Sequence, residues 1–303
     1  MAMRVATFAQ SEQMIAGALR TQAVMAEKQV QESSGVKSED YGSFGATSQQ
    51  IVNLQVSVTR AQSYIDAAQV ADSKVQVMYS AVGSMTDIIT SLRSQLSAAT
   101  VGSTTGSASA INSAGQMLDE MASLLNTQYN GQYVFSGART TTAPVDLSSY
   151  ASSTGSATTA DTSYYQGDGE IASVRVSDQQ TVSYGVTADN AAFEQVMRVL
   201  RLVANSSSPL SSSTITDALG VAETALDATS AVQTKLSNAA SQIETASSRQ
   251  SDYKSYAETL SSDLTGVDVA AVTAELSTYQ AQLTASYSAI SKIQGLNLAS
   301  YLK

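Results

Sequence analysis

The chain has 303 residues, of which 43% are hydrophobic but only 6% aromatic, with a formal charge of -10 and a pI near 4.4. It contains neither Cys nor His, which removes thiol nucleophiles, Ser-His-Asp triads, imidazole acid-base chemistry and the usual zinc ligand sets. The acidic balance, with no basic stripe to displace phosphate counterions, argues against nucleic acid as a partner.

An apolar supply dominated by Ala and other small side chains suits long, closely packed helices. From Val5, apolar or small residues recur at Phe8, Ile15, Leu19 and Ala26, with Glu12 and Gln22 at the intervening positions. These steps of three and four predict one amphipathic helix. It stops in "ESSGVKSEDYGSFG", residues 32 to 45, where Ser, Gly and charge break the pattern. A stronger stripe runs Ile51, Leu54, Val58, Ala61, Ile65, Ala68, Asp72, Val75, Tyr79, Val82, Thr86, Ile89, Leu92 and Leu96, which has coiled-coil character. "TVGSTTGSASA", residues 100 to 110, reads as a linker, and a shorter helix follows through Leu118, Met121, Leu124 and Leu125 to about Tyr129.

The texture changes over residues 130 to 189, which hold Pro144 and many of the glycines. "SVRVSD" (173 to 178) and "TVSYGVT" (181 to 187) alternate as short strands, and the Ser/Thr-rich stretch from Thr140 to Ser163 reads as exposed loop. Helix resumes in "NAAFEQVMRVLRLVA", where Phe193, Val196, Leu200 and Val203 share a face. A third long stripe carries Ile215, Leu219, Ala222, Leu226, Leu236, Ile243, Tyr253 and Leu260. Gly266 is a helix stop, and Asp268 caps the next start. The last stripe is Leu276, Tyr279, Leu283, Tyr287, Ile290 and Ile293, continued by Leu296 and Leu298 in "IQGLNLASYLK".

The expected fold is mainly α: a long antiparallel helical coiled-coil bundle formed by both chain ends, with a small β-containing insert in the middle. The boundaries are an N-terminal helix and turn over 1–46, a helical core over 47–137 and 191–263, an exposed β-containing insert over 138–190, and a C-terminal helix over 264–303. The two end stripes can pair with each other inside one molecule, or neighbouring copies can bury them.

Asp168 and Glu170 in "YQGDGE" have the look of a carboxylate pair, but a Gly-rich acidic stretch is ordinarily a β-turn. Asp161 and Asp168 lack the dense spacing of a calcium loop, and "GSTTGSAS" has no Lys after its glycines, so it is no phosphate-binding loop. The composition gives no catalytic, cofactor or metal residues. No stretch approaches the apolar length that crosses a membrane, and the N-terminal residues lack the apolar core of a cleaved signal.

Four segments carry a family resemblance. "QVQESSGVK" follows a heptad-like first helix; "NTQYNGQYVFSGARTTTAPV" (126 to 145) leads into a Thr- and Pro-containing insert. "YYQGDGEIASVRVSDQQTVSYGVTADNAAFE" (164 to 194) runs from strands back to helix, and "LTGVDVAAVTAELSTYQAQLTASYSAISKIQGLNLASYL" closes the chain. Together they resemble the flagellin superfamily, and within it the junction proteins between hook and filament. Filament flagellin is the close alternative, and an adhesin or carbohydrate-binding module on a helical stalk a more distant one. "SEDYGSFGA" stands where the family carries a Pro-Ser-Asp-Asp-like element.

The resemblance implies an extracellular structural protein, exported without a cleaved signal, whose terminal helices are poorly ordered until assembly. It implies copies of itself in a ring or helical layer, a neighbouring hook-associated protein, flagellin and an export chaperone as partners. The implied assembly surface comprises Val5, Phe8, Ile15, Leu19, Leu276, Tyr279, Leu283, Tyr287, Ile290, Ile293, Leu296 and Leu298.

Overall fold

The structure, a computed structural model, describes residues 2–99, 104–150 and 157–295, with the side chains of residues 2–8, 10, 294 and 295 outside that description. The chain order is α1 (Ala2–Ser34), a 3-10 segment (Tyr41–Thr47), α2 (Ser48–Ala98), α3 (Thr104–Leu125), β1 (Gln128–Tyr129), β2 (Gln132–Tyr133), β3 (Ser173–Arg175), β4 (Thr181–Ser183), α4 (Ala191–Ala204), α5 (Ser212–Thr265) and α6 (Val269–Gly295). Two compact units result: residues 1–59 with 254–303, and residues 60–253.

In the unit of residues 60–253 one apolar cluster joins α2, α3, α4, α5 and the strand-bearing segment. The amphipathic pattern of α4 is its centre: Phe193, Val196, Met197, Leu200 and Val203 are all fully buried. Asn190 opens that helix by accepting from the Ala192 N–H at 3.0 Å, and α4 packs on α3, with the Phe135 and Phe193 rings edge-on at 5.7 Å. Within this unit the buried residues of α5 are Ala218, Ala222, Ala225, Thr229, Val232, Leu236, Ala239, Ile243 and Ala246, a heptad seam made mostly of small side chains. Gly83 of α2 lies beside Gln233 of α5.

Residues 104–110, expected as linker, are instead the first turns of α3. Ser107, Ala110 and Ala114 are buried there, so the small side chains mark a helix face in close contact rather than a flexible tether. The helix also ends earlier than its apolar run implied. At Asn130-Gly131, φ values of 50° and 75° turn the chain back into the β1–β2 hairpin. An Asn-Gly pair supplies the positive φ angles such a turn needs.

The β3–β4 hairpin forms where alternation predicted it, pairing Val174 with Val182. Its buried Val174, Val176, Val182 and Tyr184 belong to the common core. The loop from Thr140 is not wholly exposed, because Val145 and Tyr150 sink into the same core. Asp168 is a turn organiser. Its carboxylate accepts from the Ala138 N–H at 2.8 Å and the Glu170 N–H at 3.1 Å, which lowers its pKa. Tyr164 is fully buried, donating its hydroxyl to the Ala188 carbonyl at 3.0 Å.

A buried polar cluster fastens the segment after residue 156 to α4. Glu194 and Arg201 are almost wholly buried; Arg201 pairs with Asp161 at 2.7 Å and stands over the Tyr150 ring at 4.0 Å. Glu194 accepts from the Asp161 N–H at 2.9 Å and pairs with Arg198 at 3.1 Å, while Arg198 reaches the Ala157 carbonyl at 2.7 Å. Each buried charge therefore has a counter-charge or a carbonyl, the condition for burying it at all.

Candidate assembly surface

In the unit of residues 1–59 and 254–303, α1 packs against α6. Asp268 starts α6 as expected, its carboxylate accepting from the Ala271 N–H at 3.1 Å. The turn before it is stitched to the end of α1. The Lys37 N–H donates to the Thr265 carbonyl at 2.8 Å and the Val267 N–H to the Gly35 carbonyl at 3.0 Å, while the Lys37 ammonium caps the last turn of α5 through the Leu264 carbonyl at 3.1 Å. A left-handed Gly35 (φ 71°) makes the reversal possible.

Two polar ties fix the antiparallel register. Lys28 pairs with Glu275 at 2.7 Å, and the Thr273 hydroxyl donates to the Glu32 carboxylate at 2.8 Å. The hydrogen bond to Glu275 holds the Lys28 ammonium above the usual lysine pKa, against the opposing effect of partial burial. Residues 36–46 form a turn that leads into the 3-10 segment. The Asp40 carboxylate accepts from the Gly42 N–H at 3.0 Å and caps the 3-10 segment.

The expected surface residues separate into two groups. Leu276 and Ile290 are buried, and Tyr279, Leu283 and Ile293 half-buried, on the face of α6 that also carries buried Val272. Ile15 is 40% exposed, Leu19 60% and Tyr287 51%. Val5 and Phe8 lie within α1 with side chains outside the description, and Leu296 and Leu298 lie outside the described residues.

The seam that α1 presents inside the chain was passed over in the sequence. Ala18 is buried and Ser11, Met14, Thr21, Met25 and Lys28 are half-buried, a heptad row one residue out of step with the stripe through Ile15, Leu19 and Ala26. The signal was present as the same three-four spacing, but with small or flexible side chains. Opposite the bulky Leu276, Tyr279, Leu283 and Ile290 of α6, such residues let two helices approach closely. Ile15 and Leu19 are left facing outward, and Val30, 52% exposed, extends their row.

The class defined by this architecture is a mainly helical protein whose two ends form an antiparallel helix pair with a second apolar stripe left bare. Residues 5–140 match the N-terminal helical region of bacterial flagellin, and residues 219–302 match its C-terminal helical region. Together the two regions take in most of the chain, which belongs to the flagellin family.

Among solved structures, a protein of Vibrio parahaemolyticus assigned as flagellar hook-associated superposes with a TM-score of 0.60 at 17% identity, over 72% of this chain and 97% of that one. FlgL of Bacillus cereus aligns with a TM-score of 0.42 at 12% identity, over 72% of this chain and 98% of that one. The first of these shares the fold. No curated protein sequence matches the chain.

Proposed function

We propose that this chain is a structural subunit of the bacterial flagellum that joins hook to filament, with its terminal helix pair as the assembly element. The observation that carries the reading is the bare stripe of Ile15, Leu19 and Val30 on a helix whose other face is already used by α6, in a chain that matches flagellin at both ends. Large apolar side chains aligned along an exposed helix face are stabilised when another subunit covers them. Leu276, Tyr279, Leu283, Ile290 and Ile293 hold the pair together, while Ile15, Leu19 and Tyr287, with Val5, Phe8, Leu296 and Leu298, meet neighbouring copies in a ring or helical layer. A hook-associated protein lies on one side of that layer and flagellin on the other. An export chaperone covers the stripe before the subunit reaches the cell exterior.

The test is to supply the purified chain alone, and then with isolated hooks, and to image the products by electron microscopy. Addition at hook tips in a layer of limited length, followed by filament growth when flagellin is added, is the expected result. Long homopolymers grown from the chain alone would overturn the junction reading in favour of the main filament subunit.

A further inference from the structure

Besides the stripe, the unit of residues 1–59 and 254–303 holds a groove of about 810 Å³ between the end of α1, the 3-10 segment and the end of α5. Its apolar lining is Val30, Val36, Phe44 and Leu264, with Val30 half in solvent and the other three partly covered. Glu27, Glu39, Asp40 and Asp263 stand around it, and none of the four forms an ion pair among the described residues. The one cation in the lining, Lys37, directs its ammonium to the Leu264 carbonyl. A trough with an apolar floor and a rim on which four carboxylates outnumber one ammonium is complementary to an apolar segment that carries Lys or Arg.

The chain contains such a segment. Over "SKIQGLNLASYLK", residues 291 to 303, Ile293, Leu296, Leu298 and Leu302 are accompanied by Lys292 and Lys303, with no Asp or Glu. The same molecule's segment falls short of its own groove. The Lys28–Glu275 tie sets α6 antiparallel to α1, so Gly295 ends about twenty residues, or about 30 Å of helix rise, from the level of Val30. Residues 296–303, drawn out to the limit of a polypeptide, cover about 28 Å with nothing left over for turning into the groove.

We propose that this groove receives residues 296–303 of a second copy of the chain, with Leu296, Leu298 and Leu302 on the apolar floor and Lys303 against the carboxylate rim. This deepens the assembly reading and rests on it, since it requires copies to meet. It assigns the negative rim a role in ordering copies along the assembly, because a groove at one end of the helix pair and a tail at the other make a head-to-tail contact.

The probe is a fluorescent peptide of residues 290–303 titrated into the full-length protein and followed by anisotropy. Saturable binding is expected, at least tenfold weaker for the Glu39→Lys, Asp263→Lys protein and weakened by added salt. Binding by a composition-matched scrambled peptide should be at least tenfold poorer. Because the chain has no Cys, proteins carrying Ser38→Cys and Ser300→Cys separately can be mixed under oxidation; the expected product is the mixed disulfide.

The proposal is overturned if the native peptide does not bind, if it binds no better than the scrambled one, if charge reversal leaves binding unchanged, or if only like-with-like disulfides form. Circular dichroism of the charge-reversed protein confirms that the helices are intact. Incorporation at hook tips is scored separately. A charge-reversed protein that loses the peptide but still adds to hooks overturns nothing in the flagellar reading, whereas failure of the unaltered protein to add to hooks overturns that reading alone.

Discussion

Single residues in this protein are chosen by what a buried or reversing backbone tolerates. Glu194 has its carboxylate buried between Arg198 and the Asp161 N–H, so Glu194→Ala leaves Arg198 without its counter-charge. Breaking a buried pair from one side costs about 3 kcal/mol or more. The expected outcome is an unfolding free energy from urea titration lowered by that amount, with Glu194→Gln intermediate. Gly137 sits at φ 71° with the Asp168 backbone where a Cβ would be, so Gly137→Ala is expected to cost about 1–3 kcal/mol in the same measurement.

Titration gives a second check at this scale. Lys28 has a raised pKa in the folded chain, so its tie to Glu275 contributes fully below the ordinary lysine value of about 10.4 and fades as pH rises through the higher folded value. The difference in thermal midpoint between the native chain and Lys28→Met is expected to be constant from neutral pH to about pH 10 and to shrink above that range. A difference that instead grew with alkalinity would contradict the tie.

At the scale of elements, α5 shows why side-chain size along a seam matters as much as hydrophobicity. Ala218, Ala222 and Ala225 have no exposed surface, so the helix is held close to its neighbours by the absence of bulk. Ala225→Leu is expected to destabilise by about 1–3 kcal/mol through overpacking, although it adds apolar surface. Phe193→Ala in α4 makes the opposite error: removing a ring at the centre of the core should cost about 3–5 kcal/mol by leaving a cavity. Denaturant unfolding of the two variants distinguishes a tight seam from a merely greasy one, because hydrophobicity alone would make the first variant more stable.

Across the whole molecule, the two stripes of the terminal pair predict opposite phenotypes. Leu276 is buried in the pair, so Leu276→Asp is expected to unfold α1 and α6, lowering helical content and abolishing assembly together. Leu19 is 60% exposed, so Leu19→Glu is expected to leave thermal unfolding within about 0.5 kcal/mol of the native chain while blocking incorporation into hooks. Circular dichroism melts alongside electron microscopy of hook tips separate the two. A Leu19→Glu protein that assembles normally would remove the bare stripe from the interface.

The sequence alone determined the elements whose signal is local. The face of α4 was legible because its large apolar residues recur at helical spacing, the β3–β4 hairpin because it alternates, and the start of α6 because Asp268 carries the capping carboxylate. The Asn130-Gly131 turn was equally written there, though masked by the apolar run before it.

Tertiary structure decided what depends on a partner's shape. Ser107 and Ala110 are helix rather than linker because a close neighbour makes small residues useful, a fact no propensity contains. For the same reason the inner seam of α1 runs through Met14, Ala18 and Met25 instead of Ile15 and Leu19. Two stripes of equal period lay side by side on one helix. Periodicity fixed the spacing of both, but only the bulk of the Leu276, Tyr279 and Ile290 face selected which of them is spent inside the chain and which stays free.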